Sequence, residues 1–200
     1  MKPGEVLAVL EKAGELIEVS GKVPEADISG IAYESGKVTK NAVFVAACGA
    51  NADGHDFIPE ALKKGASLVL CEKRDAYEVY KAAYPERCFA LAGSSRRALA
   101  LASAAFFGYP AEKLTLIGLT GTKGKTSTSF MIKSLLEAAG HPTGLIGTTG
   151  IYYGTQYEYI DNSTPESFEL HRIFAAMVQS GIRYCVMEVS SQSLKLDRVY

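Results

Sequence analysis

Between Leu114 and Ala139 a six-residue apolar run, LTLIGL, passes through TGTKGKT into a helical pattern, and few folds accommodate that order. The run is continuous rather than alternating, as expected for a strand of a parallel sheet covered on both faces. The residues after it predict a helix over 125–139, with Met131, Leu135 and Leu136 facing inward and Gly140 closing it. A strand that feeds a glycine-rich loop and then a helix is the βα unit of an α/β domain.

The loop between them has its own chemistry. Phosphate groups need several backbone N–H groups converging on one point, and glycine lets the backbone come that close. Gly121 and Gly124 meet that need, and the helix that follows adds the positive end of its dipole. Lys125 supplies a mobile cation for the outer phosphates of a nucleoside triphosphate. Thr126 places a hydroxyl where Mg²⁺ would sit beside them. Thr122, Lys123 and Ser127 complete the segment read as ATP-binding, 121–127. The strict pattern GxxxxGK[ST] wants glycine at 119, where leucine stands, and Gly118 lies one residue too early. The alternative is a glycine-rich turn that exposes a lysine.

The same alternation of helix and strand signals runs through the whole chain. Helices are expected over 3–13, 58–64, 76–83 and from Arg96 to Phe107 behind a Ser94 cap; strands over 42–47, 67–71 and 88–92. Gly108-Tyr109-Pro110-Ala111 interrupts this rhythm and marks the expected boundary between two domains, 1–108 and 109–200. Beyond it come a strand at 144–148, a hairpin over 151–160 turning at Gly154, a helix starting at Thr164-Pro165-Glu166, and a buried strand at 184–189. Three strands and a hairpin are few for a doubly wound nucleotide domain, which suggests that the second domain is truncated.

Composition narrows the class. With 200 residues, 48% hydrophobic and 22% charged, and a net charge of −1, the chain has the composition of a soluble globular protein with no global pull toward nucleic acid. No apolar run reaches the length of a membrane span, and the N-terminus lacks the plan of a signal peptide. Cys48, Cys71, Cys88 and Cys185 are far apart in apolar runs, which reads as buried free thiols. The three histidines, also scattered, suggest no metal site. A cytoplasmic monomer is expected.

Glu188 ends the apolar strand YCVME, where a bare carboxylate costs several kcal/mol unless it is paired or bound to a cation. It is therefore a candidate Mg²⁺ ligand with Thr126; the alternative is a bond to Arg183 or Arg198. Asn162, Ser163, Thr164 and Ser190 offer loop hydroxyls and amides to phosphate or carboxylate groups, although capping alone explains Thr164. Arg198 either clamps a substrate carboxylate or lies on the surface.

Three spaced segments, Thr120 to Thr126, Asn162-Ser163-Thr164-Pro165-Glu166 and Met187-Glu188-Val189-Ser190-Ser191, resemble the ordered motifs of the Mur ligases, most of all the MurE type, which adds the third amino acid to the cell-wall peptide precursor. Ile31 to Ser35, Val43 to Ala46 and Asp53 to Ile58 resemble that family's uridine-nucleotide-binding domain. The resemblance implies an α/β fold of a small uridine-binding domain followed by a parallel-sheet P-loop ATPase domain. It implies a ligase that uses ATP and Mg²⁺, forms an acyl phosphate on UDP-N-acetylmuramoyl-L-alanyl-D-glutamate, and couples it to a diamino acid. Lys125 and Glu188 would be catalytic. Asn162, Ser163, Thr164, Ser190 and Arg198 would contact the muramoyl dipeptide, and Tyr33, Ser35, Ala50, Asn51 and Ala52 the uridine. Three positions depart from many relatives: Lys123 replaces asparagine, Gln192 replaces histidine, and Gly36 stands where an arginine follows the serine. A folylpolyglutamate-synthetase-like ligase and a non-catalytic nucleotide-binding scaffold are the other readings. By the same resemblance the 200 residues alone would be inactive.

Overall fold

The structure, a computed structural model, describes residues 1–49 and 52–200. The chain divides into two compact units, Met1–Phe106 and Phe107–Tyr200, so the expected break at Gly108 lies just inside the second.

In the first unit, helix α1 (Pro3–Lys12) leads to strand β1 (Leu16–Ser20), followed by β2 (Ile31–Ala32), β3 (Val43–Val45), α2 (Ile58–Lys63), β4 (Leu68–Cys71), α3 (Arg74–Ala83), β5 (Cys88–Ala92) and α4 (Ser95–Phe106). The sheet order is β1-β5-β4-β3-β2. Strands β2 to β5 are parallel, and β1 runs antiparallel against β5. β3, β4 and β5 are buried along their whole length and, with Tyr77 of α3 and Ile58 and Ala61 of α2, form the core. β1 has the reverse pattern. Ile17 is 57% exposed, while Glu18 turns toward α3 and meets Arg74, Tyr77 and Lys81. A strand that shows its apolar residues to solvent and its carboxylate to a helix lacks the usual hydrophobic signature, so the sequence does not announce it.

The second unit begins with a 3₁₀ turn at Pro110–Lys113 and continues through β6 (Thr115–Leu119), α5 (Lys125–Ala138), β7 (Thr143–Gly147), β8 (Gly150–Tyr153), β9 (Gln156–Glu158), α6 (Ser167–Gln179), β10 (Tyr184–Glu188) and α7 (Ser191–Lys195). Its sheet order is β6-β10-β7-β8-β9. β6, β10 and β7 are parallel; β8 and β9 extend the sheet as an antiparallel hairpin, so the sheet is mixed. β10 lies between β6 and β7, although it follows both in sequence. Leu119 is opposite Glu188 in this register, which brings the loop after β6 beside the end of β10.

Three expectations are corrected here. Among the described residues β6 pairs with β10 and leaves Leu116 39% exposed, where cover on both faces was expected. On α5, Met131 is 64% and Leu135 71% exposed, and only Leu136 of the expected trio turns partly inward. The inward stripe is instead Ser129, Ile132, Lys133 and Leu136, in which Ser129 is buried and its hydroxyl donates to the carbonyl of Thr126 at 2.7 Å. Finally, α6 starts at Ser167 with Glu166 as its N-cap, so Thr164 is not the cap.

Candidate active site

The loop after β6 turns into α5 at Gly124, whose φ of 83° lies in the left-handed region that a side chain rarely adopts. Among the described residues no side chain caps α5, so the first-turn amides point into the loop with no intrahelical partner. Such a helix start is suited to an anion. Thr122, Lys123 and Ser127 are exposed around it. The ammonium of Lys125 folds back to donate to the carbonyl of Gly121 at 2.7 Å, in an exposed loop.

Glu188 is 1% exposed at the end of β10. Its Oε1 accepts from the hydroxyl of Thr126 at 2.9 Å and from the amide of Thr148 at 3.0 Å; its Oε2 accepts from the Thr148 hydroxyl at 3.1 Å. Hydrogen bonds to a charged group contribute about 1.5–3 kcal/mol each, enough for three to offset much of the cost of burying the carboxylate. Among the described residues neither Arg183 nor Arg198 is a partner, so the arginine alternative is not the arrangement found. Thr148 was not anticipated. It sits in the turn after β7 and reaches Glu188 only because β10 inserts next to β7.

Behind the carboxylate a second group assembles. Thr164 is buried; its hydroxyl donates to the carbonyl of Glu188 at 2.9 Å and accepts from the amide of Ser190 at 3.2 Å. The Ser190 hydroxyl caps α7 by accepting from the amide of Ser193 at 3.1 Å. Arg198 is largely buried: it donates to the carbonyl of Thr164 at 3.1 Å, and its Nε is 2.7 Å from Glu166. It is thus neither a plain surface arginine nor an uncommitted clamp. Asn162, exposed, and Ser163, half-buried, lie on the segment leading into this group.

In the first unit, the half-buried Tyr33 has the Lys37 ammonium 5.9 Å from its ring centroid. The Ser35 hydroxyl donates to Glu60 at 2.7 Å, and Lys64 donates to the Ser35 carbonyl at 3.0 Å. Lys64, then Ser35, holds the Glu60 carboxyl below its ordinary range. Ala52 is exposed, while Ala50 and Asn51 lie outside the described residues.

A cluster that the sequence does not reveal joins Cys48, Asp53, His55 and Lys73. The ring of His55 is buried, and its Nε2 accepts from the amides of Glu72 and Lys73 at 3.1 and 3.2 Å. A nitrogen that accepts carries no proton, so Nδ1 holds it and donates to Asp53 at 2.7 Å. Burial opposes the charge on Asp53, but hydrogen bonds from Lys73 and His55 outweigh it and hold the carboxyl below its usual range. The ligand atoms of Cys48, Asp53 and His55 lie within 4.8 Å of one another. They do not suit a metal. The histidine nitrogen facing the other two is protonated, the Lys73 ammonium rests on Asp53, and burial, then Glu72, pushes the Cys48 thiol up to about 12. The cluster fastens the 3₁₀ turn Gly54–Phe57 to the end of β4.

A glycine-rich βα turn, a buried carboxylate on the neighbouring strand and a separate α/β unit ahead of them in the chain make up an α/β architecture that comparison with known proteins narrows to a family. Residues 119–200 match the Mur ligase middle domain, and residues 27–105 match the domain described as Mur ligase family, catalytic domain. The chain belongs to the Mur ligase family. It is 46% identical over 200 residues to the UDP-N-acetylmuramoyl-L-alanyl-D-glutamate--2,6-diaminopimelate ligase of Clostridium tetani, an alignment covering all of this chain and 40% of that enzyme. The Clostridium perfringens enzyme of the same name is 44% identical over 176 residues, covering 88% of this chain and 35% of the enzyme. This chain therefore spans about two fifths of the length of the relatives it matches. A solved structure of a ligase of that name superimposes with a TM-score of 0.76 at 19% identity, over 100% of this chain and 38% of the other, a likeness of fold.

Proposed function

We propose that this chain supplies the nucleotide- and substrate-binding parts of an ATP-dependent ligase that adds 2,6-diaminopimelate to UDP-N-acetylmuramoyl-L-alanyl-D-glutamate in peptidoglycan precursor synthesis. The observation that carries this is the Thr126–Glu188 contact at 2.9 Å, between the helix start that would hold the phosphates and the strand end that would face them. The names of the relatives at 44–46% identity supply the substrates.

In this reading, residues 1–108 bind the uridine nucleotide, with Tyr33, Ser35 and the 50–52 segment against it. Residues 109–200 bind ATP. The amides of 121–127 cradle the phosphates, and Lys125 leaves the Gly121 carbonyl for the outer phosphate oxygens. Asn162, Ser163, Ser190 and Arg198 face the muramoyl dipeptide, and the buried Thr164 braces that segment through its bond to the Glu188 carbonyl. The D-glutamyl carboxylate attacks the γ-phosphorus, the bond to the β–γ bridging oxygen breaks, and ADP leaves. The amine of the diamino acid then attacks the acyl carbon, expelling inorganic phosphate and losing a proton as the amide forms. The chain's contribution is chiefly position and charge, as phosphoryl transfer demands.

The residues present fit Mg²⁺. The donors are oxygens only, a buried carboxylate and a hydroxyl, which suit a hard cation. Thr126 and Glu188 would hold it, and once bound it neutralises charge on the phosphates. The cytoplasm is the proposed compartment. All four thiols are free, in keeping with reducing surroundings, and among the described residues no helix is long and apolar enough to cross a membrane.

The test is phosphate release by the protein that carries this chain. Release that requires both ATP and the UDP-muramoyl dipeptide is expected. ATP hydrolysis indifferent to the dipeptide would defeat the proposal.

A further inference from the structure

The turn joining β7 to β8, residues 147–150, brings to Glu188 a residue that neither the loop motif nor the strand motif contains. Thr148 offers two donors from one residue, and they go to different oxygens: its amide to Oε1 at 3.0 Å and its hydroxyl to Oε2 at 3.1 Å. A fork of this kind fixes the rotation of the carboxylate plane, which one hydrogen bond does not.

The lone pairs can be counted. Each carboxylate oxygen has two acceptor sites. Oε1 uses both, on the Thr126 hydroxyl and the Thr148 amide. Among the described residues Oε2 uses one, on the Thr148 hydroxyl, and keeps one. The Thr126 hydroxyl gives its only proton to Glu188, so its own lone pairs remain available. One oxygen of each residue is therefore equipped to meet a cation.

The turn is held in place from both sides. Toward the site, a Cβ on Gly147 would lie 2.4 Å from Glu188 Oε1, so only glycine allows the carboxylate this close. On the outer side, the hydroxyls of Tyr152 and Tyr157 both donate to the carbonyl of Thr149, at 3.0 and 3.3 Å. The two rings lie 5.1 Å apart, and Phe130 of α5 meets Tyr152 at 5.6 Å. The aromatic cluster thus couples the turn to the helix that begins at the phosphate loop.

We propose that Thr148 is a positioning residue that presents Oε2 of Glu188, rather than Oε1, to a divalent cation shared with Thr126. This rests on the reading of Thr126 and Glu188 as a cation site given above.

The probe is Mn²⁺, titrated into this chain by electron paramagnetic resonance with a non-hydrolysable ATP analogue present. Thr148→Val removes the hydroxyl and keeps the shape and the amide. It is expected to weaken Mn²⁺ binding about 10- to 100-fold, the range for residues that orient a metal ligand. The same variant should bind the analogue like the parent when EDTA removes the metal, which a general loosening of the site would not allow. Thr148→Ser should restore the affinity. If Thr148→Val does not fold, Thr148→Ala puts the same question without the branched side chain. Unchanged Mn²⁺ affinity in the Val or Ala variant, with Glu188→Gln losing it, overturns the role of Thr148 and leaves the cation site standing. Unchanged affinity in Glu188→Gln as well overturns the site and the role together.

Discussion

Thr126 and Glu188 are 62 residues apart in the chain and joined by a 2.9 Å hydrogen bond. The bond exists because β10 enters the sheet between two strands made before it, carrying its terminal carboxylate to the mouth of the loop that follows β6. Most of the site's expected behaviour follows from that insertion.

Lys125→Ala should abolish ATP binding without unfolding either unit. Among the described residues the side chain makes one hydrogen bond, to an exposed loop carbonyl, and replacing such a group changes stability by no more than about 0.5 kcal/mol. Calorimetric titration together with a thermal melt checks both halves; an unchanged affinity would count against the phosphate loop.

Gly147→Ala should be far more damaging than its size suggests. The added carbon would stand 2.4 Å from Glu188 Oε1, and the carboxylate is pinned by Thr126 and Thr148 and has little room to retreat. A destabilisation of about 1–3 kcal/mol is expected from such overpacking, read as a lower melting temperature, along with weaker Mn²⁺ binding.

His171 should make stability fall in mild acid. It is buried on α6, and burial lowers its pKa from 6.5 to about 4, so the folded protein holds it neutral where the unfolded chain would protonate it. The stability it contributes is complete above pH 6.5 and drains away as the pH drops toward about 4, by up to about 3 kcal/mol. His171→Leu should flatten that part of the profile of denaturation free energy against pH. An unaltered slope would mean that other groups set it.

Asp53→Ala should cost about 1–3 kcal/mol, because the proton on His55 Nδ1 and the His55 amide would lose their shared acceptor. Denaturant titration measures the loss, and nitrogen-15 chemical shifts of the ring report whether the Nδ1–H tautomer survives.

How much of this was legible in the sequence depends on distance along the chain. The glycine-rich turn is a local object: strand, Gly121 to Thr126 and helix follow one another, so the residues alone indicate that geometry. Glu188 stands out as a carboxylate at the end of an apolar run. Thr148 does not, since nothing in Gly-Thr-Thr-Gly says which strand will lie alongside. The face of α5 was misread because Met131 and Leu135 have the spacing of a core stripe, yet the sheet takes the side bearing Ser129 and Ile132. Thr164, followed by proline and glutamate, has every local mark of a helix cap, but the carbonyl of Glu188 claims its hydroxyl. In each case a partner remote in sequence overrode a sound local preference.

The late insertion of β10 also sets an order of events during folding. The loop-bearing strand β6 pairs with β10, and closing so large a span is slow compared with forming a helix or hairpin. A ribosome that has released β6, α5, β7 and the hairpin has therefore made the glycine-rich turn without the carboxylate that bonds to Thr126. Under the proposed function, nucleotide and metal are captured together only after β10 has paired with β6 and β7, so that capture reports the pairing.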